Sequence, residues 1–250
     1  MSWSYDAIAA VYATDMGQSM PFDDAGFYRD VCLRQRGPAL ELGCGTGRIL
    51  LELLAAGVDA CGVDRSLPML QRLRSDAARR GLAPPRVAQM DLRAFALDGA
   101  FATVLAPYSL VTYLTEPTDL DAFLRTARGL LAPGGVLVLD AFVPRDVAAF
   151  DDFRLDYRRP HEGGTLERHK RIATAGGVNT IERRYRLHDS GNALLDEFTT
   201  RESIRPYGAQ TLRDAAARAG LAEKGITLDY GNPADAGQAR FATLLLGVAD

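Results

Sequence analysis

Glu41-Leu42-Gly43-Cys44-Gly45-Thr46-Gly47-Arg48 is the stretch around which the rest of the chain is organised. Glycines at 43, 45 and 47 allow a tight turn and let a ligand approach the backbone closely. Leu40 to Leu42, entered after Gly37-Pro38, reads as a short buried strand. A helix is expected from about Thr46 to Ala56. Strand, glycine loop and helix in that order open several ligand-binding α/β folds.

Further strands are expected at Val58 to Val63, Arg86 to Met90, Phe101 to Ala106 and Val136 to Phe142. Between them, Ser66 can cap a helix running to about Arg80, with Gly81 as its stop. Thr118 to Leu131 reads as another helix, stopped by Pro133-Gly134-Gly135. Upstream, residues 5–16 and 22–34 show helical spacing. The alternation predicts an α/β fold, a doubly wound, mostly parallel sheet covered on both faces. Ligands bind such sheets beyond the carboxyl ends of the strands, near the point where strand order reverses. That rule selects Gly43 to Gly47, Asp64, Asp91 and Pro107 to Tyr113.

After Phe142 the helical period gives way to a β-rich stretch. Antiparallel strands are expected at 153–159, 165–174, 178–188 and 194–205, with turns at Gly176-Gly177 and Ser190-Gly191-Asn192. The βα rhythm returns with a helix over Thr211 to Ala219 and strands near 223–229 and 240–248. The expected organisation is therefore an N-terminal helical cover (1–35), a core (36–150 and 208–250) and an antiparallel insertion (151–207) acting as a lid or dimer surface. The insertion holds all three histidines, His161, His169 and His188. From Phe153 to Arg205 it has 11 basic and 8 acidic residues, a net of +3. Arg183, Arg184 and Arg186 alternate along one strand, so they do not share one face. One or two of the insertion arginines are candidates to hold an anionic substrate.

The 250 residues suit one α/β domain with an insertion. A net charge of −3 and the lack of a basic domain argue against a nucleic-acid partner. No apolar run approaches the ~18 residues a membrane span needs. The three cysteines, Cys32, Cys44 and Cys61, fit neither a disulfide framework nor a zinc site, so a reducing, cytoplasmic setting and no metal are expected.

Charge narrows the choice of ligand. Glu41 stands two residues before the first glycine. A dinucleotide would bring its pyrophosphate to this turn, against that carboxylate. S-adenosylmethionine brings an ammonium and a sulfonium, which the carboxylate attracts, and its own carboxylate suits the helix N-terminus. The spacing is G-x-G-x-G, not the G-x-G-x-x-G of nicotinamide-binding folds. Asp64, after the second strand, can accept hydrogen bonds from ribose hydroxyls. Asp91, after the third, can accept one from an adenine amino group, with the Leu92 N–H and Met69 beside the ring.

E-L-G-C-G-T-G-R (41–48), C-G-V-D-R-S-L-P-M-L (61–70), Q-M-D-L-R-A-F (89–95) and L-L-A-P-G-G-V-L-V-L-D (130–140) together resemble the core of class I S-adenosylmethionine-dependent methyltransferases. The resemblance covers residues 36–142 specifically and the rest loosely. It implies a seven-stranded, Rossmann-like sheet whose last strand is antiparallel, and S-adenosyl-L-homocysteine as a product. It also implies cofactor contacts from Glu41, Gly43, Asp64, Asp91 and Leu92; Cys44, Gly45, Arg65, Met69 and Ala106 complete the candidate set. Tyr5-Asp6-Ala7-Ile8-Ala9 with Tyr12, and the insertion after strand five, resemble bacterial small-molecule enzymes of this kind, amino-sugar N-methyltransferases among them. In these an N-terminal helix covers the cofactor, and Tyr12 is the aromatic expected to line the site. Ala106 to Leu114 matches their loop after strand four, with Ser109 where relatives often have Asn and Tyr113 where they often have His.

The expected reaction is in-line methyl transfer to a nitrogen or oxygen of a small molecule. Catalysis is then mainly positioning. An amine must arrive neutral, whereas a hydroxyl needs a base. Tyr108, Tyr113 and His161 are the candidates on the acceptor side. A homodimer is a further expectation. The rival readings are a nicotinamide oxidoreductase and a protein that binds S-adenosylmethionine without transferring its methyl group.

Overall fold

The computed structural model describes residues 4–16, 20–143, 149–232 and 238–249. The chain starts with α1 (Ser4–Ile8), α2 (Tyr12–Met16) and α3 (Asp24–Gln35). Then come β1 (Ala39–Leu42), α4 (Leu50–Ala55), β2 (Ala60–Asp64), α5 (Leu67–Arg79), β3 (Arg86–Gln89) and β4 (Phe101–Ala106). A 3₁₀ turn (Leu110–Tyr113), α6 (Pro117–Gly129) and β5 (Leu131–Phe142) follow. β6 (Phe150–His161), β7 (Gly164–Ala175), β8 (Val178–His188) and β9 (Leu194–Ile204) form the insertion. The chain returns through α7 (Ala209–Arg218), β10 (Leu221–Leu228) and β11 (Phe241–Val248). These elements fall into two compact units: residues 1–21 with 145–206, and residues 22–144 with 207–250.

The larger unit holds a seven-stranded sheet in the order β10-β11-β5-β4-β1-β2-β3. Strands β1 to β5 pair in parallel, and β11 runs antiparallel to both β5 and β10. Order reverses between β1 and β4, so the ends of these two strands open the crevice that the switch-point rule selects. The central strands are apolar on both faces, as helices on both sides require. Leu40, Leu42, Val104, Leu137, Leu139 and Leu244 are all fully buried. Ser66 caps α5 by accepting the Met69 N–H at 3.3 Å.

Two boundaries differ from the pattern in the sequence. The helix after the glycine loop begins at Leu50 rather than Thr46. Gly47 has φ +86°, a left-handed conformation that an α-helix does not continue through. Pro133-Gly134-Gly135 does not precede β5 but lies inside it, as a bulge where register shifts against β4. A Cβ on Gly135 would stand 2.7 Å from the Phe101 carbonyl oxygen, so the bulge needs glycine there.

The smaller unit is a four-stranded meander, β6-β7-β8-β9, antiparallel throughout, with α1 and α2. Gly176 and Gly177 (φ +56° and +75°) make the two-residue turn expected of that dipeptide. The helix read over 5–16 is two short pieces, joined by a turn in which the Val11 N–H donates to the Ile8 carbonyl. Separate anchors account for the break. Ser4 on α1 donates to the Arg201 carbonyl of β9 at 2.7 Å. On α2, Asp15 accepts from the Tyr157 hydroxyl, the Arg168 guanidinium and, at 3.3 Å, the Tyr185 hydroxyl. Many insertion arginines pair with acids across the strands: Arg168 with Asp156, Arg171 with Glu182, Arg183 with Glu202 and Arg186 with Glu197. Among the described residues no helix is long and apolar enough to cross a membrane.

Candidate active site

The site is built where β1 ends. Glu41 is 2% exposed, and its Oε2 has no hydrogen-bond partner among the described residues. Burial pushes its carboxyl well above the usual carboxylate range; Arg48 opposes that shift and Asp64 adds to it. Arg48 is itself held by Asp24 of α3, through a two-pronged ion pair at 2.5 and 2.7 Å. Asp24 is buried, so α3 is fastened to the end of the glycine loop by a shielded contact.

Gly43 and Gly45 take φ of +70° and +52°, which lets the backbone fold back over β2. The Gly43 and Cys44 N–H groups both donate to the Val63 carbonyl, at 2.8 and 3.0 Å. A Cβ on Gly43 would lie 2.6 Å from Leu110 Cδ1, so Leu110 backs the loop where glycine leaves room. Cys44 points inward, with its Sγ 2.8 Å from where a Gly62 Cβ would stand. Its thiol is pushed up by burial and stays protonated.

Asp64, at the end of β2, ties the loop to the next helix. Its Oδ2 accepts the Gly45 N–H at 2.8 Å and its Oδ1 the Ser66 N–H at 2.7 Å. A carboxylate oxygen can accept more than one hydrogen bond. After β3, Asp91 accepts the Arg93 N–H at 3.0 Å, and its carboxylate lies 3.4 Å from Arg65 Nε. The fold thus brings Gly45 to Asp64, and Arg65 to Asp91. Leu92 is partly buried against the core cluster. Met69 is wholly buried in α5, and Ala106 is wholly buried at the end of β4.

Tyr108 and Tyr113 part company after β4. The Tyr108 ring lies 5.7 Å from Phe142 and 5.8 Å from Phe241, in an aromatic cluster at the ends of β5 and β11. Tyr113 closes the 3₁₀ turn, and its carbonyl faces Arg93 Nη2 at 3.4 Å, on the Asp91 side. Tyr12 and His161 belong to the smaller unit. Tyr12 packs on Tyr5 with ring centres 6.0 Å apart, and His161 Nδ1 shares a 2.8 Å hydrogen bond with Thr14.

The sequence reading did not single out Asp140, Tyr28 or Tyr230. Asp140 is fully buried in β5, and one of its oxygens, Oδ2, accepts the Tyr108 N–H at 2.9 Å, the Tyr230 hydroxyl at 2.6 Å and the Tyr28 hydroxyl. The signal was present as an acid closing the apolar run Val136-Leu137-Val138-Leu139.

The sheet order is the one expected of a Rossmann-like methyltransferase fold, and residues 39–135 match a family model described as a methyltransferase domain. Among particular relatives, the dTDP-3-amino-3,4,6-trideoxy-alpha-D-glucopyranose N,N-dimethyltransferase of Streptomyces venezuelae is 28% identical over 155 residues, 62% of this chain and 63% of that one. Across the curated relatives compared, the match spans 54% to 63% of their own length. The CcbJ methyltransferase from Streptomyces caelestis shares the fold with a TM-score of 0.82 at 23% identity, over 99% of both chains. SAM-bound CalS10, an amino pentose methyltransferase from Micromonospora echinaspora, aligns with a TM-score of 0.71 at 25% identity, over 94% of this chain and 96% of that one.

Proposed function

We propose that this protein transfers the methyl group of S-adenosylmethionine to a nitrogen of a small molecule, an amino sugar carried on a nucleotide being the favoured acceptor class, with an oxygen as the alternative. The observation that carries the reading is the buried Glu41 carboxyl with an open Oε2 at the base of the glycine loop. A buried polar oxygen without a partner is costly in a finished site and fits one that a cationic ligand completes. The residues present suit the cofactor. Glu41 would hold its ammonium and Asp64 its ribose hydroxyls. Asp91 and the Leu92 N–H would hold its adenine edge.

When bound, S-adenosylmethionine supplies a methyl group on a positively charged sulfur, which leaves readily. The chain's own work is then to fix the geometry and keep water out. Glu41 and Asp64 hold fixed positions because each is anchored to backbone or buried charge before any ligand arrives. Tyr108 and Tyr113, beyond β4, are assigned to the acceptor side. A neutral amine needs no base for the transfer step, only a route for the proton it sheds afterwards. The names of the relatives support an amine on a sugar. A cytoplasmic setting suits three unpaired cysteines, two of them buried, and a homodimer through the insertion is part of the same reading.

The test is incubation of the purified chain with methyl-labelled S-adenosylmethionine and a panel of amino-sugar and hydroxy-sugar nucleotides. Label is expected in an amino-sugar product, with S-adenosylhomocysteine formed in equal amount. Cofactor binding with no labelled product from any acceptor would instead identify a protein that holds S-adenosylmethionine without transferring its methyl group.

A further inference from the structure

Tyr108 and Ser109 are two successive non-glycine residues in the left-handed region, with φ of 53° and 54°. Such a pair is costly for L-residues and persists only where the surroundings impose it. They follow β4 after Pro107, at the switch point of the sheet. What imposes the turn is visible. The Tyr108 N–H is caught by Asp140 Oδ2 at 2.9 Å. The same oxygen receives the Tyr230 hydroxyl at 2.6 Å and the Tyr28 hydroxyl.

Tyr230 is presented by a second left-handed pair. Asp229 and Tyr230 have φ of 43° and 58°. The Asp229 carboxylate fixes that turn by accepting the Arg240 and Phe241 N–H groups, both at 2.9 Å. Two strained turns and helix α3 therefore converge on one carboxylate oxygen, and all of these groups lie within the larger unit. Burial pushes the Asp140 carboxyl up, and the hydrogen bonds from Tyr230, Tyr28 and the Tyr108 N–H pull it back. A fully buried acid with no basic partner among these contacts is an expensive way to join strands.

The turn leads directly to the glycine loop. Leu110, the residue after the strained pair, lies 2.6 Å from where a Gly43 Cβ would stand. Ser109 is fully buried, so the turn has little room to shift without moving Leu110. We propose that Asp140 is a positioning residue: its carboxylate holds the left-handed Tyr108–Ser109 turn and so fixes Leu110 behind Gly43, setting the shape of the glycine loop for the cofactor. Asp140 touches neither Gly43 nor Leu110 in the contacts described and acts through the turn. The proposal rests on the reading of this loop as the S-adenosylmethionine site.

Calorimetric titration of S-adenosylhomocysteine into wild type, Asp140→Asn and the double variant Asp140→Asn/Ser109→Gly tests it. Asparagine keeps one acceptor oxygen but loses the charge. Glycine adopts the left-handed conformation freely, so at position 109 it relieves one of the two strained residues and lessens the need for the grip. Ser109 Oγ has no hydrogen-bond partner among the described residues, so its loss leaves no donor or acceptor stranded. Asp140→Asn is expected to weaken binding about tenfold, and Ser109→Gly to restore most of it. A purely structural role would lower the melting temperature without changing the affinity of the folded protein, and glycine would not rescue binding. Unchanged affinity in Asp140→Asn, or a loss that glycine fails to restore, overturns the proposal. If Asp140→Asn does not fold, Tyr230→Phe removes one donor and keeps the carboxylate. About threefold weaker binding, again restored by Ser109→Gly, supports the proposal, and unchanged binding overturns it. Wild type that binds no S-adenosylhomocysteine overturns the loop reading and this proposal together, an outcome distinct from wild type and variants binding alike.

Discussion

Glu41 is the residue on which the functional reading turns, and its burial gives it a measurable signature. Burial holds its carboxyl above the usual range, so the folded protein keeps this proton to a pH above the unfolded value of about 4.3. The sign follows from linkage. Any stability this group contributes is present below that unfolded value and is lost as pH rises through the raised folded one. A cation at Oε2 favours the charged form, so ligand binding expels the proton. Titrating S-adenosylhomocysteine in two buffers of different ionisation enthalpy should therefore show proton release, with affinity rising as pH rises towards the folded value. Glu41→Gln should abolish the release and weaken binding about 10- to 100-fold, the range for losing a charge-assisted contact. Binding that is proton-neutral and insensitive to Glu41→Gln would remove Glu41 from the site. Glu41 and Asp64 stand out in the sequence as candidates because an acid at a strand's end beside glycines has few structural uses. Asp140 was marked only as an acid closing an apolar run, a signal that does not reveal the distant Tyr28, Tyr108 and Tyr230 donors it receives. Tyr28 sits at helical spacing among apolar residues, where an aromatic reads as core.

Elements are placed by a few backbone positions that composition alone does not locate. The glycine loop depends on Gly43 twice: for its left-handed φ and for the space that Leu110 fills. Gly57 separates the two effects. It too is left-handed, at φ +78°, but a Cβ there meets nothing within 4 Å. Gly57→Ala should cost roughly 1–2 kcal/mol from the backbone alone, and Gly43→Ala about 1–3 kcal/mol more from overpacking. Urea unfolding of the two variants measures this, and equal midpoints would contradict the close approach of Leu110. Strand positions were largely readable because βα alternation and turn dipeptides such as Gly176-Gly177 are local signals. The start of α4 at Leu50 and the bulge inside β5 were not. The first depends on how Gly47 is turned, and the second on how closely Gly135 approaches Phe101 of another strand.

At the scale of the whole molecule, α1 and α2 group with the insertion and α3 with the core. The reason is non-local: Asp15 is claimed by Tyr157, Arg168 and Tyr185, each more than 140 residues away. Asp15→Asn should free that end. Arg168 keeps Asp156 as a partner, so the expected loss is about 2 kcal/mol rather than the full cost of stranding a buried charge. Limited proteolysis should then cut within the first 21 residues several-fold faster than in wild type, with the core unit intact. Unchanged cleavage would show that the Asp15 cluster does not secure those helices. The loop from Glu41 to Gly47 is proposed to receive a cationic nucleoside rather than a dinucleotide. Calorimetry with the wild-type chain, titrated with S-adenosylhomocysteine and separately with NAD, tests it most directly: micromolar-range binding of S-adenosylhomocysteine and none of NAD is predicted, and binding of NAD without S-adenosylhomocysteine would contradict it.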